Sequence, residues 1–100
     1  MLNKVYTVND IKEQLYPVFN RYNVKKAILF GSYVKGLATE KSDIDLLLDS
    51  GLRGLRFVGL IHDIHSALDK EVDVLDVTHI IPDSPIFSEI YKDGITIYEE

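Results

Sequence analysis

One hundred residues suffice for one domain with a core of moderate size and leave no room for a second. Apolar residues make up 46% and charged residues 27%, which argues against disorder, and no apolar run approaches membrane-spanning length. The net charge of −5 argues against a passive nucleic-acid binder, which needs a basic face, but not against a site that handles phosphates through metal ions held by carboxylates.

Thr7 followed by Asp10 reads as a capping box that opens a helix. Ile11, Leu15, Val18, Phe19 and Tyr22 then recur at helical spacing, an apolar stripe facing a core. Pro17 falls inside that stripe, so a kink or a boundary is expected there. "KAILF", residues 26–30, is a short buried strand ending at Gly31, and residues 32 to 37 fit one helical turn. "IDLLLDS" is a second strand, stopped by Ser50 and Gly51. From residue 54 to 70 the pattern is helical again. Phe57, Leu60, Ile61, Ile64 and Leu68 share a face, with His62, Asp63 and Ser66 largely on the other. "EVDVLDV" is a third strand, Pro82 and Pro85 bracket a turn, and Pro85 opens a short helix reaching Lys92. "GITIYEE" closes the chain as an edge strand. This order predicts a single α/β domain over residues 1–100, with helices flanking a small mixed sheet of about four strands.

Two carboxylates stand at the mouth of the second strand. Side chains alternate across a strand, so Asp43 and Asp45 share a face and repel each other. A divalent cation removes that cost. The helix between the second and third strands implies a right-handed crossover joining parallel strands. Parallel strands start at the same end of a sheet, so Asp73 arrives beside the pair, about 4.8 Å away if the strands are neighbours. Asp76, three residues on, has the opposite parity and is set aside. The short excursion after Gly31-Ser32 brings the chain back antiparallel, which puts Gly31, Ser32, Asp43, Asp45 and Asp73 at one rim. Glycine lets backbone approach a phosphate closely, and Ser32 offers a hydroxyl and N–H groups. Two cations roughly 3.5–4 Å apart on shared carboxylates suit phosphoryl or nucleotidyl transfer.

Gly31-Ser32, ten residues and then Asp43-x-Asp45 resembles the signature of the polymerase-beta-type nucleotidyltransferase superfamily. The run "FGSYVKGLATEKSDIDLLL" with "KEVDVLDV" downstream is similar to the minimal nucleotidyltransferases, over most of the chain. The resemblance implies magnesium bound by a catalytic trio of Asp43, Asp45 and Asp73. It implies triphosphate contacts from Gly31 and Ser32, and ATP or another nucleoside triphosphate as substrate. Where relatives carry an arginine-rich pair, this chain has Tyr33 and Lys35, so Lys35 is the one basic group left to meet the nucleotide. The resemblance also implies a helical HEPN-type partner in a toxin–antitoxin pair, with AMP moved to a hydroxyl of that partner. The alternatives are a non-catalytic antitoxin that neutralises its partner by stoichiometric binding, or an enzyme acting on a small molecule as a homodimer.

Other motifs read as ordinary structure. Gly31 to Gly36 matches the start of a P-loop, but Leu37 and Ala38 stand where Lys and Ser or Thr belong. Leu47 fills the third ligand place of a calcium loop. Asp49 is a strand-end surface residue, and His62 and His65 are surface histidines without a further ligand. His79 shows no partner. Tyr33, beside the site, is a minor candidate to line the nucleotide pocket, while the other tyrosines are mostly core-edge residues. With no cysteine, disulfides, thiolate metal sites and cysteine nucleophiles are excluded, and a cytoplasmic location is expected.

Overall fold

The computed structural model describes residues 6–39, 41–79 and 84–100. The chain runs α1 (Val8–Arg21), β1 (Lys26–Phe30), a 3-10 turn (Gly31–Tyr33), β2 (Ile44–Asp49), α2 (Gly54–Leu68), β3 (Val72–Asp76), a second 3-10 turn (Val77–His79), α3 (Pro85–Asp93) and β4 (Ile95–Glu99). The strands form one mixed sheet in the order β3-β2-β1-β4. β1 pairs antiparallel with β2 and β4, and β2 pairs parallel with β3 across the α2 crossover. Among the described residues no helix is long and apolar enough to cross a membrane.

Strand alternation divides the core between the two faces. Ala27, Leu29, Ile44, Leu46, Leu48 and Val72 pack with Ile11, Leu15, Val18 and Phe19 of α1 and Leu60, Ile64 and Leu68 of α2. Ile28 and Leu47 turn to the other face and pack with Ile90 of α3, joined by Phe30 and Leu75. Among the described residues, the first face is therefore roofed by two helices and the second by one short helix.

The helix ends follow their chemistry. The Asp10 N–H donates to Thr7 Oγ1 at 3.0 Å and the Thr7 N–H to Asp10 Oδ2 at 3.1 Å, the expected capping box. Pro17, however, neither ends α1 nor marks a boundary, since the helix continues to Arg21. Pro17 and Glu13 are both exposed, so the carbonyl deprived of its donor faces water, which softens the penalty. Gly94 ends α3. A Cβ there would collide with the Ile90 carbonyl and Ile28 Cγ2, so only glycine lets β4 start so close to the sheet. The expected turn at Pro82 lies outside the described residues.

Polar side chains tie these elements together in ways that periodicity did not reveal. Asp63 faces α1, where it accepts from Tyr22 Oη at 2.8 Å and pairs with Arg21 at 3.4 Å. His65 meets the Val72 carbonyl at 3.0 Å. Tyr6 Oη donates to the Leu68 carbonyl. The buried Asp76 carboxylate is the densest node. It accepts from the Ser50 N–H at 3.1 Å, Ser50 Oγ at 2.7 Å, the Thr78 N–H at 3.2 Å and Thr78 Oγ1 at 2.8 Å. His79, expected to stand alone, accepts from the Asp76 N–H at 3.3 Å and meets Phe57 edge-on, with ring centroids 5.6 Å apart. Burial alone raises the proton affinity of Asp76, but the hydrogen bonds from Ser50 and Thr78 outweigh it and hold the carboxyl below its ordinary value.

Replacing Asp76 with Ala orphans the buried Ser50 donors, and the expected loss is about 2–3 kcal/mol at neutral pH, read by urea unfolding. Because the folded value is depressed, this contribution is present above the ordinary carboxylate pKa and is lost as pH falls through the folded one. The gap between wild type and Asp76→Ala therefore narrows in acid. A gap that stays constant from neutral pH into acid contradicts this account.

Candidate active site

β1 ends where β2 begins. Antiparallel register sets Phe30 opposite Asp45, so Gly31 lies just beyond the ladder and against that carboxylate. Parallel register sets Asp45 opposite Asp73 on β3. Asp43 precedes β2 by one residue and is anchored by the turn before it, where Ser42 and Thr39 exchange hydrogen bonds of 3.0 and 2.9 Å. Since Leu47 and Leu75 point to the α3 face, alternation sends Asp45 and Asp73 to that same, less covered face. Asp76 goes to the helix-packed face, as its parity predicts.

Gly31 is fixed by two constraints. Its φ of +82° favours glycine, and a Cβ on it would collide with Asp45 Oδ2. The backbone can lie against the carboxylate only because that side chain is missing. Asp45 is half-buried, while Asp43 and Asp73 are exposed. Burial pushes the Asp45 carboxyl above its ordinary value, and the neighbouring charges of Asp73 and then Asp43 push it further. The close facing of the Asp45 and Asp73 side chains acts in the same direction.

After Gly31 the chain makes its short turn, with the Val34 and Lys35 N–H groups donating to the Gly31 carbonyl at 3.1 and 3.3 Å. Ser32 stays half-exposed at the rim. Tyr33 turns inward rather than to the rim. Its ring is buried at 7% exposure in the cluster under α1 and α2. Lys35 is exposed and donates to Glu89 Oε1 on α3 at 3.2 Å. Asp49 pairs in register with Lys26, at the far end of β2 from Asp45. Among the described residues, no three His, Cys, Asp or Glu side chains stand close enough to enclose a metal ion by themselves.

Known proteins share the sequence family and the fold. Residues 13–100 match the family model described as polymerase beta, nucleotidyltransferase. The chain belongs to the polymerase beta-type nucleotidyltransferase family. Over 77 residues it is 39% identical to MJ0435 of Methanocaldococcus jannaschii, provisionally named a protein adenylyltransferase, covering 75% of this chain and 83% of that protein. A second protein of the same organism and provisional name, MJ0126, is 33% identical over 75 residues, 69% of this chain and 76% of the relative. The fold is shared with a chain of a toxin–antitoxin complex crystallised with AMP-PNP, at a TM-score of 0.71 and 22% identity, over 89% of this chain and 73% of that one. It is also shared with a chain from a complex of tri-AMPylated HEPN toxin and MNT antitoxin from Shewanella oneidensis. There the TM-score is 0.66 and the identity 19%, over 94% of this chain and 74% of that one.

Two outcomes follow for this nucleotidyltransferase. Gly31→Ala forces both a strained backbone and a displaced Asp45, and is expected to cost at least about 1–3 kcal/mol in chemical unfolding. Removing the Asp45 charge acts in the opposite direction. A carboxyl whose folded value is raised is least favourable above that value, so stability falls as pH rises through the window between its ordinary and folded values. In metal-free buffer Asp45→Asn should melt higher than wild type at neutral pH and lose that advantage in acid. A neutral-pH melting temperature below wild type would refute the like-charge account.

Proposed function

We propose that this nucleotidyltransferase uses a divalent metal, most simply Mg²⁺, to move AMP from ATP to a hydroxyl of a partner protein. The observation that carries the reading is the position of Asp45, between the open backbone of Gly31 and the facing Asp73. In the transfer, the acceptor oxygen bonds to the α-phosphorus, the bond to the bridging oxygen breaks, and pyrophosphate leaves. Gly31 and Ser32 receive the triphosphate, and Lys35 completes the nucleotide-binding set. Asp73 lies on the edge strand and is exposed, which supports it as the carboxylate that takes the proton from an incoming hydroxyl.

The donor set of Asp43, Asp45 and Asp73 fits a hard cation, because all its atoms are carboxylate oxygens and burial, followed by the charges of Asp73 and Asp43, makes the Asp45 carboxylate costly to ionise without a counter-ion. Mg²⁺ is commonly held by one or two carboxylates together with substrate phosphates and water, so no closed protein cage is needed beforehand. When bound, the metal supplies charge neutralisation at the α-phosphate and lowers the pKa of the attacking hydroxyl. The acceptor is a HEPN-type toxin and the setting cytoplasmic. Support comes from structural neighbours crystallised as toxin–antitoxin complexes, one with AMP-PNP and one with an AMPylated HEPN toxin, and from relatives named for protein adenylylation.

Incubation with the product of the adjoining gene, Mg²⁺ and α-labelled ATP should label that protein. Asp43→Asn and Asp45→Asn should each cut labelling by more than about 100-fold. If either variant labels nothing yet neutralises the partner as fully as wild type does, neutralisation is stoichiometric and the catalytic reading fails.

A further inference from the structure

A cleft of about 180 Å³ opens beside the phosphate-binding turn, between that turn and α3. Phe30, Val34 and Ile90 give it an apolar floor, Gly31 forms its edge, and the exposed Lys35, Glu89 and Asp93 stand at its mouth. Pockets that bury whole drug-sized ligands run to about 300–1,000 Å³, so this one suits a single ring system. It shares Gly31 with the proposed triphosphate site. A nucleotide with its phosphates at Gly31 and Ser32 therefore has an apolar slot within reach of its base.

Two of these groups are a donor and an acceptor held side by side, Lys35 Nζ and Glu89 Oε1 at 3.2 Å. As an exposed ion pair they add little to stability. Their pattern nonetheless has a complement. Each polar edge of adenine presents an amino donor next to a ring-nitrogen acceptor. Glu89 accepts from the amino group with a lone pair not used by Lys35, and Lys35 donates to the ring nitrogen. Hypoxanthine, guanine and uracil place a carbonyl oxygen where adenine has its amino group, and that oxygen would face the Glu89 carboxylate with no proton between them.

We propose that the cleft between the Gly31 turn and α3 is the nucleobase subsite, and that the Lys35–Glu89 pair selects a base with an amino group beside a ring nitrogen, the pattern that separates adenine from hypoxanthine, guanine and uracil. This rests on the nucleotidyl-transfer reading and assigns Lys35 to the base edge of the nucleotide. Glu89 becomes a specificity residue drawn from an element that carries none of Asp43, Asp45 and Asp73.

Direct binding by calorimetry with the full chain and Mg²⁺ tests it, using ATP, inosine triphosphate and inorganic tripolyphosphate. Wild type is expected to bind ATP roughly 10- to 100-fold more tightly than inosine triphosphate, the effect of one hydrogen bond to a charged group. Glu89→Leu, at an exposed position, should bring the two within about threefold of each other while tripolyphosphate binds no more weakly than to wild type. The exchange Lys35→Glu with Glu89→Lys restores an ion pair but swaps donor and acceptor. It should remain folded and still fail to favour ATP, which a purely structural role does not predict. Equal affinity of wild type for the two nucleotides, or discrimination that survives Glu89→Leu, overturns the proposal. So does a Glu89→Leu variant that binds both nucleotides as wild type does but no longer labels the partner, because the cleft then serves the acceptor. Failure of wild type to bind either ATP or tripolyphosphate removes the nucleotidyl-transfer reading itself.

Discussion

The approach of the Asp45 carboxylate to the bare backbone of Gly31 governs this molecule. A strand end and a strand start meet there, one supplying a residue without a side chain and the other a charge that needs the vacated space. Any other residue at position 31 would separate the two, and the short turn would no longer stand over the carboxylates. The β1–β2 register, the turn and the placement of Asp73 on the neighbouring strand all converge on that contact.

The rest of the fold accepts a cost to keep it. Two facing carboxylates in a half-buried setting are electrostatically unfavourable, and they sit on the face roofed by only one short helix. The opposite face compensates with two amphipathic helices and a continuous apolar cluster. Even there a carboxylate is buried, but Asp76 is surrounded by four donors from Ser50 and Thr78. Asp45 and Asp76 are chemically identical groups on adjacent strands with opposite fates. Donors pull one below its ordinary pKa, while burial and like charges push the other above it. The first is the mark of a group waiting for nothing, the second of a group suited to a cation.

Much of this was legible in the residues because it depends on period and handedness. Apolar spacing located the four described strands and the first two described helices, Pro85 marked the start of the third, and the crossover rule with strand parity selected Asp73 over Asp76. What stayed hidden depends on partners distant along the chain. The Tyr22–Asp63 bond, the Ser50–Asp76 cap and the Lys35–Glu89 pair join residues whose proximity only the folded chain decides. Asp76 did carry a signal, since a carboxylate with core parity must find donors. Of the kink or boundary expected near Pro17, the boundary did not form at that residue, because the lost hydrogen bond costs little where the orphaned carbonyl meets water. Tyr33 misled because closeness in sequence to Gly31 says nothing of which way a ring turns in a tight 3-10 turn.

The alternation that separates Asp45 from Leu46 also determines which changes of length the chain can absorb. The loop leading to Asp43 can be longer or shorter without disturbing the register of β2. A single residue gained or lost within β2 would exchange the two faces, sending carboxylates beneath α1 and α2 and leucines to the open rim. Among diverging copies of this gene, insertions should therefore collect between the glycine turn and the first aspartate. The interval from that aspartate to the end of the strand should keep its length even where its letters change.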